Sequence, residues 1–273
     1  MDKLERENLA SRRLKERLRD FWNTQQPYWN ITSSGQCVES PARERAASFL
    51  RTGDSVLDVA CGTAANAVWL KNRCRYFGVD LSITALQQPI DPFLRLACAD
   101  ADRMPFGQDS FDAVIATYVL EHSVDPVETL REMSRVVRRG GRIVLLGPAW
   151  DFPFWFPNSL RSRGHDRLWR LSYSVGRTWR QLIGWWFGRL PFEKVNEPDA
   201  FHSEFIYDAD AVYIVWTYEV VRLMNRWGHK LVHWEVDDQL LGTNPIVRWF
   251  KLSLLRLPIY RYAGCSILLV FEK

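Results

Sequence analysis

Asp58 closes a hydrophobic, β-branched run, Val56-Leu57-Asp58-Val59, and the chain then passes through Ala60-Cys61-Gly62-Thr63-Ala64-Ala65-Asn66, a turn dominated by small side chains. Such a turn lets a ligand come close to backbone N–H groups at the start of a helix. A second acid, Asp80, closes Phe77-Gly78-Val79-Asp80 in the same way. A carboxylate there can accept from both hydroxyls of a ribose, and a charge-assisted hydrogen bond contributes about 1.5–3 kcal/mol. The pair predicts an adenosine-type cofactor bound where buried strands run into their turns. A nicotinamide dinucleotide also needs an acid about 20 residues past its glycines, but G-x-G-x-x-G requires three glycines. Only Gly62 stands in this loop. Taken singly, Asp58 is equally well a helix cap, and Asp100 and Asp102 are equally well turn residues.

The elements that must position these acids follow from periodicity. Apolar runs at 55–60, 75–80, 93–99, 111–117 and 141–147 alternate with helical segments, the pattern of a parallel sheet with crossover helices. The helix at 125–139 has Asp125 as N-cap, Pro126 at its first position and Glu128 in its first turn. Arg138 and Arg139 stand against its C-terminal dipole before Gly140-Gly141. Upstream, Leu14, Leu18, Phe21 and Trp22 form the stripe of a surface helix over 3–22, and Pro41 opens another toward Leu50. Downstream, Leu168, Leu171, Val175, Trp179, Leu182 and Trp186 recur at helical spacing, flanked by arginines. Gly176, Gly184 and Gly188 interrupt that stripe and predict two short helices. Asp210 is the expected N-cap of a helix that carries Val212, Trp216, Val220, Leu223 and Trp227 and stops at Gly228. Strands are expected at 230–235 and 265–271, separated by a basic insertion at 242–263.

Four further motifs occur in order: Asp100-Ala101-Asp102-Arg103-Met104-Pro105-Phe106, Asp109-Ser110-Phe111-Asp112-Ala113-Val114, Leu120-Glu121-His122-Ser123-Val124-Asp125-Pro126, and the run from Leu130 to Gly140-Gly141. With the Asp58 loop, this series closely resembles the class I S-adenosylmethionine-dependent methyltransferases, in the broad group (methyltransferase type 11) that includes quinone-biosynthesis enzymes. The resemblance spans residues 56–147. It implies an α/β fold: a Rossmann-like, seven-stranded, mostly parallel sheet with helices on both faces, an antiparallel last strand and a helical Trp/Arg-rich insertion after the fifth strand. It implies S-adenosylmethionine as cofactor. Asp58 would orient the methionine amine, the backbone of Ala60, Cys61 and Gly62 would pass beneath the methionine portion, and Asp80 would hold the ribose. Asp100 and the Ala101 amide would meet the adenine edge, Leu81 and Met104 would sandwich the ring, and the Thr117 carbonyl would face the amine. His122 is the candidate catalytic base, although Glu-His-x-x-Asp-Pro recurs across many substrate classes of this family and a loop-ordering role competes. The chain departs from the pattern at Ala60 and Ala64, where glycine is usual, and at Arg139, where proline is common. Because alanine disfavours positive φ, both alanines are expected to use ordinary dihedrals.

Methyl transfer from a sulfonium is an in-line displacement governed mainly by alignment and exclusion of water, so a cover over the cofactor is required. Tyr28, Trp29 and Trp155 are the expected substrate cap. The expected division is 1–52 for N-terminal helices of the cover, 53–148 for the cofactor-binding core, 149–206 for the aromatic and basic insertion, and 207–273 for the last helix and strands.

Composition bounds the partners. At 273 residues and 47% hydrophobic, the chain can bury a large core. Net charge is only +4, yet residues 158–192 hold seven arginines against the single acid Asp166. Ten of the thirteen tryptophans fall at Trp150 or later. The five cysteines show no C-x-x-C spacing, so neither a disulfide framework nor a metal site is expected. The charged N-terminus is unlike a signal peptide, and a cytoplasmic protein is expected, with peripheral membrane contact through 158–192 and 248–261 as a hypothesis. Thr117-Tyr118-Val119-Leu120 lacks the Asn/Asp-Pro-Pro-aromatic signature of nucleic-acid N-methylation, and there is no Pro-Cys nucleophile. Nucleic acid is therefore disfavoured, and the acceptor is a small molecule, a glycan or a lipid-linked compound. Two alternatives stand: a cofactor-binding protein without transferase activity, and a nicotinamide-dependent oxidoreductase.

Overall fold

Five parallel strands carry the half of the chain that bears the motifs: β1 (Ser55–Val59), β2 (Arg75–Asp80), β3 (Arg95–Cys98), β4 (Phe111–Thr117) and β5 (Val137–Pro148). In this computed structural model they join β8 (Lys230–Val236) and β9 (Ser266–Glu272) in one seven-stranded sheet of order β3-β2-β1-β4-β5-β9-β8. Strand β9 runs antiparallel to both of its neighbours. Between them in sequence, β6 (Glu193–Lys194) and β7 (Tyr213–Ile214) form a separate two-stranded ladder. The structure describes residues 3–24, 26–33, 40–151, 166–189, 191–194, 211–236, 245, 248–249, 252–253, 256–262 and 264–273.

Both faces of the sheet are covered, which is why its central strands read as nearly unbroken apolar runs. Alternate side chains divide between two cores. On one face Leu57, Val59, Val114, Ile143, Leu145 and Leu269 meet Leu130 and Met133 of α6 (Pro126–Val136) and Val220 and Met224 of α8 (Thr217–Arg226). On the other, Val56, Ala113, Ile115, Val144 and Leu268 meet Ala46 and Ala47 of α3 (Pro41–Ser48) and Ala67 and Leu70 of α4 (Ala67–Leu70). Strand order reverses between β1 and β4, and ligands of such sheets bind outside the carboxyl ends of the strands at that reversal.

Three expected elements differ. Helix α6 has the predicted Asp125 cap, whose carboxylate accepts from the Val127 and Glu128 amides, but it ends at Val136. Arg138 is drawn into the strand by an ion pair with Asp112, and Gly140 takes φ 73°. At Gly141 a β-carbon would stand 2.6 Å from the Asp112 carbonyl oxygen, so glycine is required there. The glycine-interrupted stripe forms one helix, α7 (Arg167–Phe187), closed by Gly188 in the left-handed region. Its polar contacts to the body outweigh the roughly 1 kcal/mol that each internal glycine costs. The last helix begins at Thr217, because Tyr213 and Ile214 pair with β6. Asp210 lies outside the described residues, and the capping role falls to Asp151, whose carboxylate accepts from the Thr217 and Tyr218 amides.

Candidate cofactor site

At the carboxyl ends of β1, β2 and β4 lies an open cleft with about 1030 Å³ of empty space. Asp80, at the end of β2, faces it while accepting from the Gly62 amide at 2.8 Å and the Ser82 amide at 2.8 Å. Burial raises the Asp80 pKa against the pull of those N–H groups. Two amide bonds leave carboxylate lone pairs over, so ribose hydroxyls can still be received. Gly62 has φ 55°, and a β-carbon there would lie 3.1 Å from Cζ3 of Trp29. The loop therefore passes directly under an indole, at a position where a β-carbon would crowd that ring.

The dihedral expectation for the two alanines is overturned. Ala60 has φ 52° and Ala64 has φ 63°, both left-handed. The conformation is held by the Cys61 amide bonding to the Val79 carbonyl at 2.9 Å, by the Gly62–Asp80 bond, and by the Ala64 amide returning to the Cys61 carbonyl at 2.8 Å. The loop keeps the shape that glycines would favour, at the expense of backbone strain.

Asp58 stands behind the loop rather than in the cleft. It is fully buried and accepts from Asn66 Nδ2 at 3.0 Å and from the Tyr76 hydroxyl at 2.6 Å. Burial, opposed by those bonds, pushes its pKa up to about 6. Asn66 links it to the rim of the cleft, its Oδ1 accepting from Arg43 Nη1 at 2.8 Å. Arg43 also donates to Thr117 Oγ1 at 2.6 Å and borders the cleft with Thr117 and Tyr118. Tyr118 adopts φ 58° where β4 ends. Such strain in a non-glycine residue is typical of ligand sites.

At the opposite end, Leu81, Asp100 and Ala101 border the cleft, and Asp100 pairs with Lys15 of α1 (Lys3–Thr24) at 3.0 Å. Lys15 also bonds Asp102 at 2.6 Å. Met104, expected on the adenine ring, belongs to the core instead: its amide donates to Glu132 at 2.8 Å, and its side chain packs with the buried cluster on that face. Cys61 is buried, and burial pushes its thiol well above the usual range.

The cover is aromatic. Tyr28 and Trp29 of α2 (Gln26–Thr32) and Trp22 of α1 line the cleft, and Trp29 Nε1 donates to the Trp22 carbonyl at 2.8 Å. The Trp22 and Tyr28 ring centroids are 4.8 Å apart. His122 meets Trp22 edge-on at 5.8 Å, with Nε2 3.8 Å from Glu121 Oε1. Trp155 lies outside the described residues. Sequence reasoning missed Lys15, Arg43 and Asn66 as site residues and assigned Trp22 only to packing. Nothing in the local spacing links Arg43 to Thr117 or Lys15 to Asp100, whose partners are remote in the chain.

The residues suit S-adenosylmethionine. The carboxylates of Asp80 and Asp100 border the cleft, Gly62 lies beneath the Trp29 indole, and the Arg43 guanidinium stands at the far end. Thr63 Oγ1, buried beside the cleft, has no hydrogen-bond partner among the described residues. Those residues hold no cluster suited to a metal ion.

Residues 57–145 match the family model described as a methyltransferase domain. The chain is 40% identical over 116 residues to a demethylmenaquinone methyltransferase of Mycobacterium marinum, covering 42% of this chain and 50% of that relative. It is 30% identical over 122 residues to a phosphatidylethanolamine N-methyltransferase of Cereibacter sphaeroides, covering 42% of this chain and 60% of the relative. The chain thus spans about half the length of the curated relatives it matches. A SAM-dependent methyltransferase structure from Archaeoglobus fulgidus superposes with a TM-score of 0.56 at 14% identity, covering 90% of this chain and 99% of that one, which shows a shared fold. Residues 57–145 thus carry a methyltransferase domain of the matching family, and the Rossmann-like sheet around it has the fold of solved SAM-dependent methyltransferases.

Proposed function

We propose that the protein transfers the methyl group of S-adenosylmethionine to a small-molecule acceptor that is apolar or lipid-linked. The observation that carries this reading is the convergence of Gly62, Asp80 and Asp100 in one aromatic-covered cleft at the strand-order reversal. Asp80 would hold the ribose, Asp100 and the Ala101 amide would receive the adenine edge, and Leu81 would lie against the ring. Arg43, fixed by Asn66 and Thr117, supplies a cation for the methionine carboxylate. The names of the two curated relatives specify demethylmenaquinone and phosphatidylethanolamine, which supports a lipid-like acceptor over a glycan.

Held by Asp80, Asp100 and Arg43, S-adenosylmethionine would supply an electrophilic methyl group for an acceptor lone pair. The chain's part is alignment and dryness, and proximity of this kind contributes on the order of 7–11 kcal/mol. Trp22, Tyr28 and Trp29 exclude water and offer ring faces to a sulfonium, each worth about 0.5–2 kcal/mol. His122, packed against Trp22, orders the loop after β4. Because it lines the cleft, it would also be the candidate to take a proton from an acceptor that must lose one.

Titration calorimetry with S-adenosylmethionine and S-adenosylhomocysteine tests the cofactor, and transfer of a labelled methyl group into quinol and phospholipid acceptors tests the reaction. Binding of both cofactor forms and label in the lipid extract are expected. A thermal shift with NAD and none with S-adenosylmethionine overturns the reading.

A further inference from the structure

Helix α7 is amphipathic in the inverted sense: its polar side faces the protein and its apolar side faces solvent. Ser174, Arg177, Gln181 and Gly184 are its buried positions. Leu168, Leu171, Val175, Trp179, Leu182 and Trp186 are exposed, with Leu168 and Trp186 each at 77% and Trp179 at 62%. At about 100° per residue, the two sets occupy nearly opposite arcs of one cylinder.

The orientation is fixed by specific bonds. Arg177, with no exposed surface, places its guanidinium 4.6 Å from the Trp216 ring. Gln181 Nε2 donates to the Asp151 carbonyl at 2.8 Å, and the Tyr173 hydroxyl donates to Glu193 at 2.6 Å. Arg226 closes the far end on the Gly188 carbonyl at 2.7 Å. Rolling the apolar stripe inward would break all of these, so the outward stripe is the stable arrangement.

We propose that α7 is an interfacial docking helix that lies on an anionic phospholipid bilayer. Its 21 residues form a rod of about 30 Å, and among the described residues no helix is apolar enough to cross a membrane. A helix with a large apolar face and low overall hydrophobicity lies in the plane of the interface, with that face among the acyl chains. Arg167, Arg170 and Arg189 are exposed and make no ion pair among the described residues. They complement phosphate-bearing headgroups, whereas a second copy of this helix would set like charges against them. Leu257 is exposed beside the turn Pro258–Tyr260, which packs on α7. The proposal deepens the lipid-acceptor reading without depending on methyl transfer, because membrane binding is read with neither cofactor nor acceptor present.

Co-sedimentation of the full chain with vesicles of phosphatidylcholine and phosphatidylglycerol, against vesicles of phosphatidylcholine alone, tests it. Binding is expected to the anionic vesicles, weakening at high salt, with a blue shift of tryptophan fluorescence. The triple variant Leu171→Glu, Trp179→Glu, Trp186→Glu should lose about tenfold or more in partition while keeping its melting temperature, since all three side chains are exposed. Arg167→Gln with Arg170→Gln should reduce the preference for anionic vesicles and keep the fluorescence shift on those that bind. No binding to anionic vesicles at low salt, unchanged binding of the triple variant, or a dimer in solution that the triple variant dissociates would each overturn the proposal. Failure on vesicles together with retained cofactor binding would leave the methyltransferase reading standing.

Discussion

Ala60 and Ala64 show how a single methyl group divides the energetics of one loop. A left-handed alanine costs about 1–2 kcal/mol, and glycine in its place relieves that while returning about 0.4–1 kcal/mol to the unfolded chain as entropy. Ala64 is completely buried in the core, where its methyl contributes about 0.8 kcal/mol, whereas Ala60 is only half-buried. Ala60→Gly is therefore expected to stabilise the protein by about 0.5 kcal/mol and Ala64→Gly to leave it unchanged or slightly weaker, as read by urea denaturation. Arg43 belongs to the same scale. Its guanidinium bridges Asn66 and Thr117 at the end of the cleft assigned to the methionine carboxylate, and a charge-assisted bond is worth about 1.5–3 kcal/mol. Arg43→Ala should weaken S-adenosylmethionine binding by about 10- to 100-fold in calorimetry, while Arg45→Ala, whose side chain pairs with Glu235 on the surface, should leave it unchanged.

Elements formed where local signals and tertiary demands agreed. The runs ending at Asp58, Asp80 and Thr117 are strands because both faces of the sheet are covered, and Asp125-Pro126 opens α6 because the cap needs only its own neighbours. The positions of Asp80 and Asp100 beside the cleft were legible for the same reason: an acid at or just past the end of such a strand stands at the carboxyl edge of the sheet whatever surrounds it. Lys15 and Arg43 were not, since each reaches the cleft from a helix remote in sequence. Met104 shows the reverse, because a motif position told its place along the chain but not its burial in the core, where its amide bonds Glu132. Helix α7 is the clearest failure of local reading. Gly176, Gly184 and Gly188 together predict two short helices, yet one helix runs through Gly176, with nothing within 4 Å of where a β-carbon would stand. Alanine there gains propensity without a clash, so Gly176→Ala should raise stability by about 1 kcal/mol, seen as a melting temperature higher by a few degrees in a circular dichroism scan.

At the scale of the whole molecule, the insertion and the sheet are joined through Asp151, which caps α8, receives Gln181 through its carbonyl and faces Arg177. Burial pushes the Asp151 carboxyl up to about 6, against the pull of the Thr217 and Tyr218 N–H groups and of Arg177. Burial likewise lowers Arg177 to about 10. A carboxyl whose folded pKa is raised above its unfolded value binds its proton more tightly in the native state. Its stabilising effect is then full below about pH 4 and lost as pH rises through about 6, a change of about 3 kcal/mol. Asp112 and Glu132 act in the opposite direction: the Ser55 amide holds the first below the usual carboxylate range and Arg135 holds the second there, so their contributions are lost in acid. The wild-type profile sums both kinds of group, and Asp58 adds to the first kind. Asp151→Asn isolates one of them, because the amide mimics the protonated acid and can still accept from the Thr217 N–H. The variant's stability relative to wild type should rise by about 3 kcal/mol between pH 4 and pH 7 in urea denaturation across that range. Parallel profiles for the two proteins would show that the carboxyl at this junction does not titrate there.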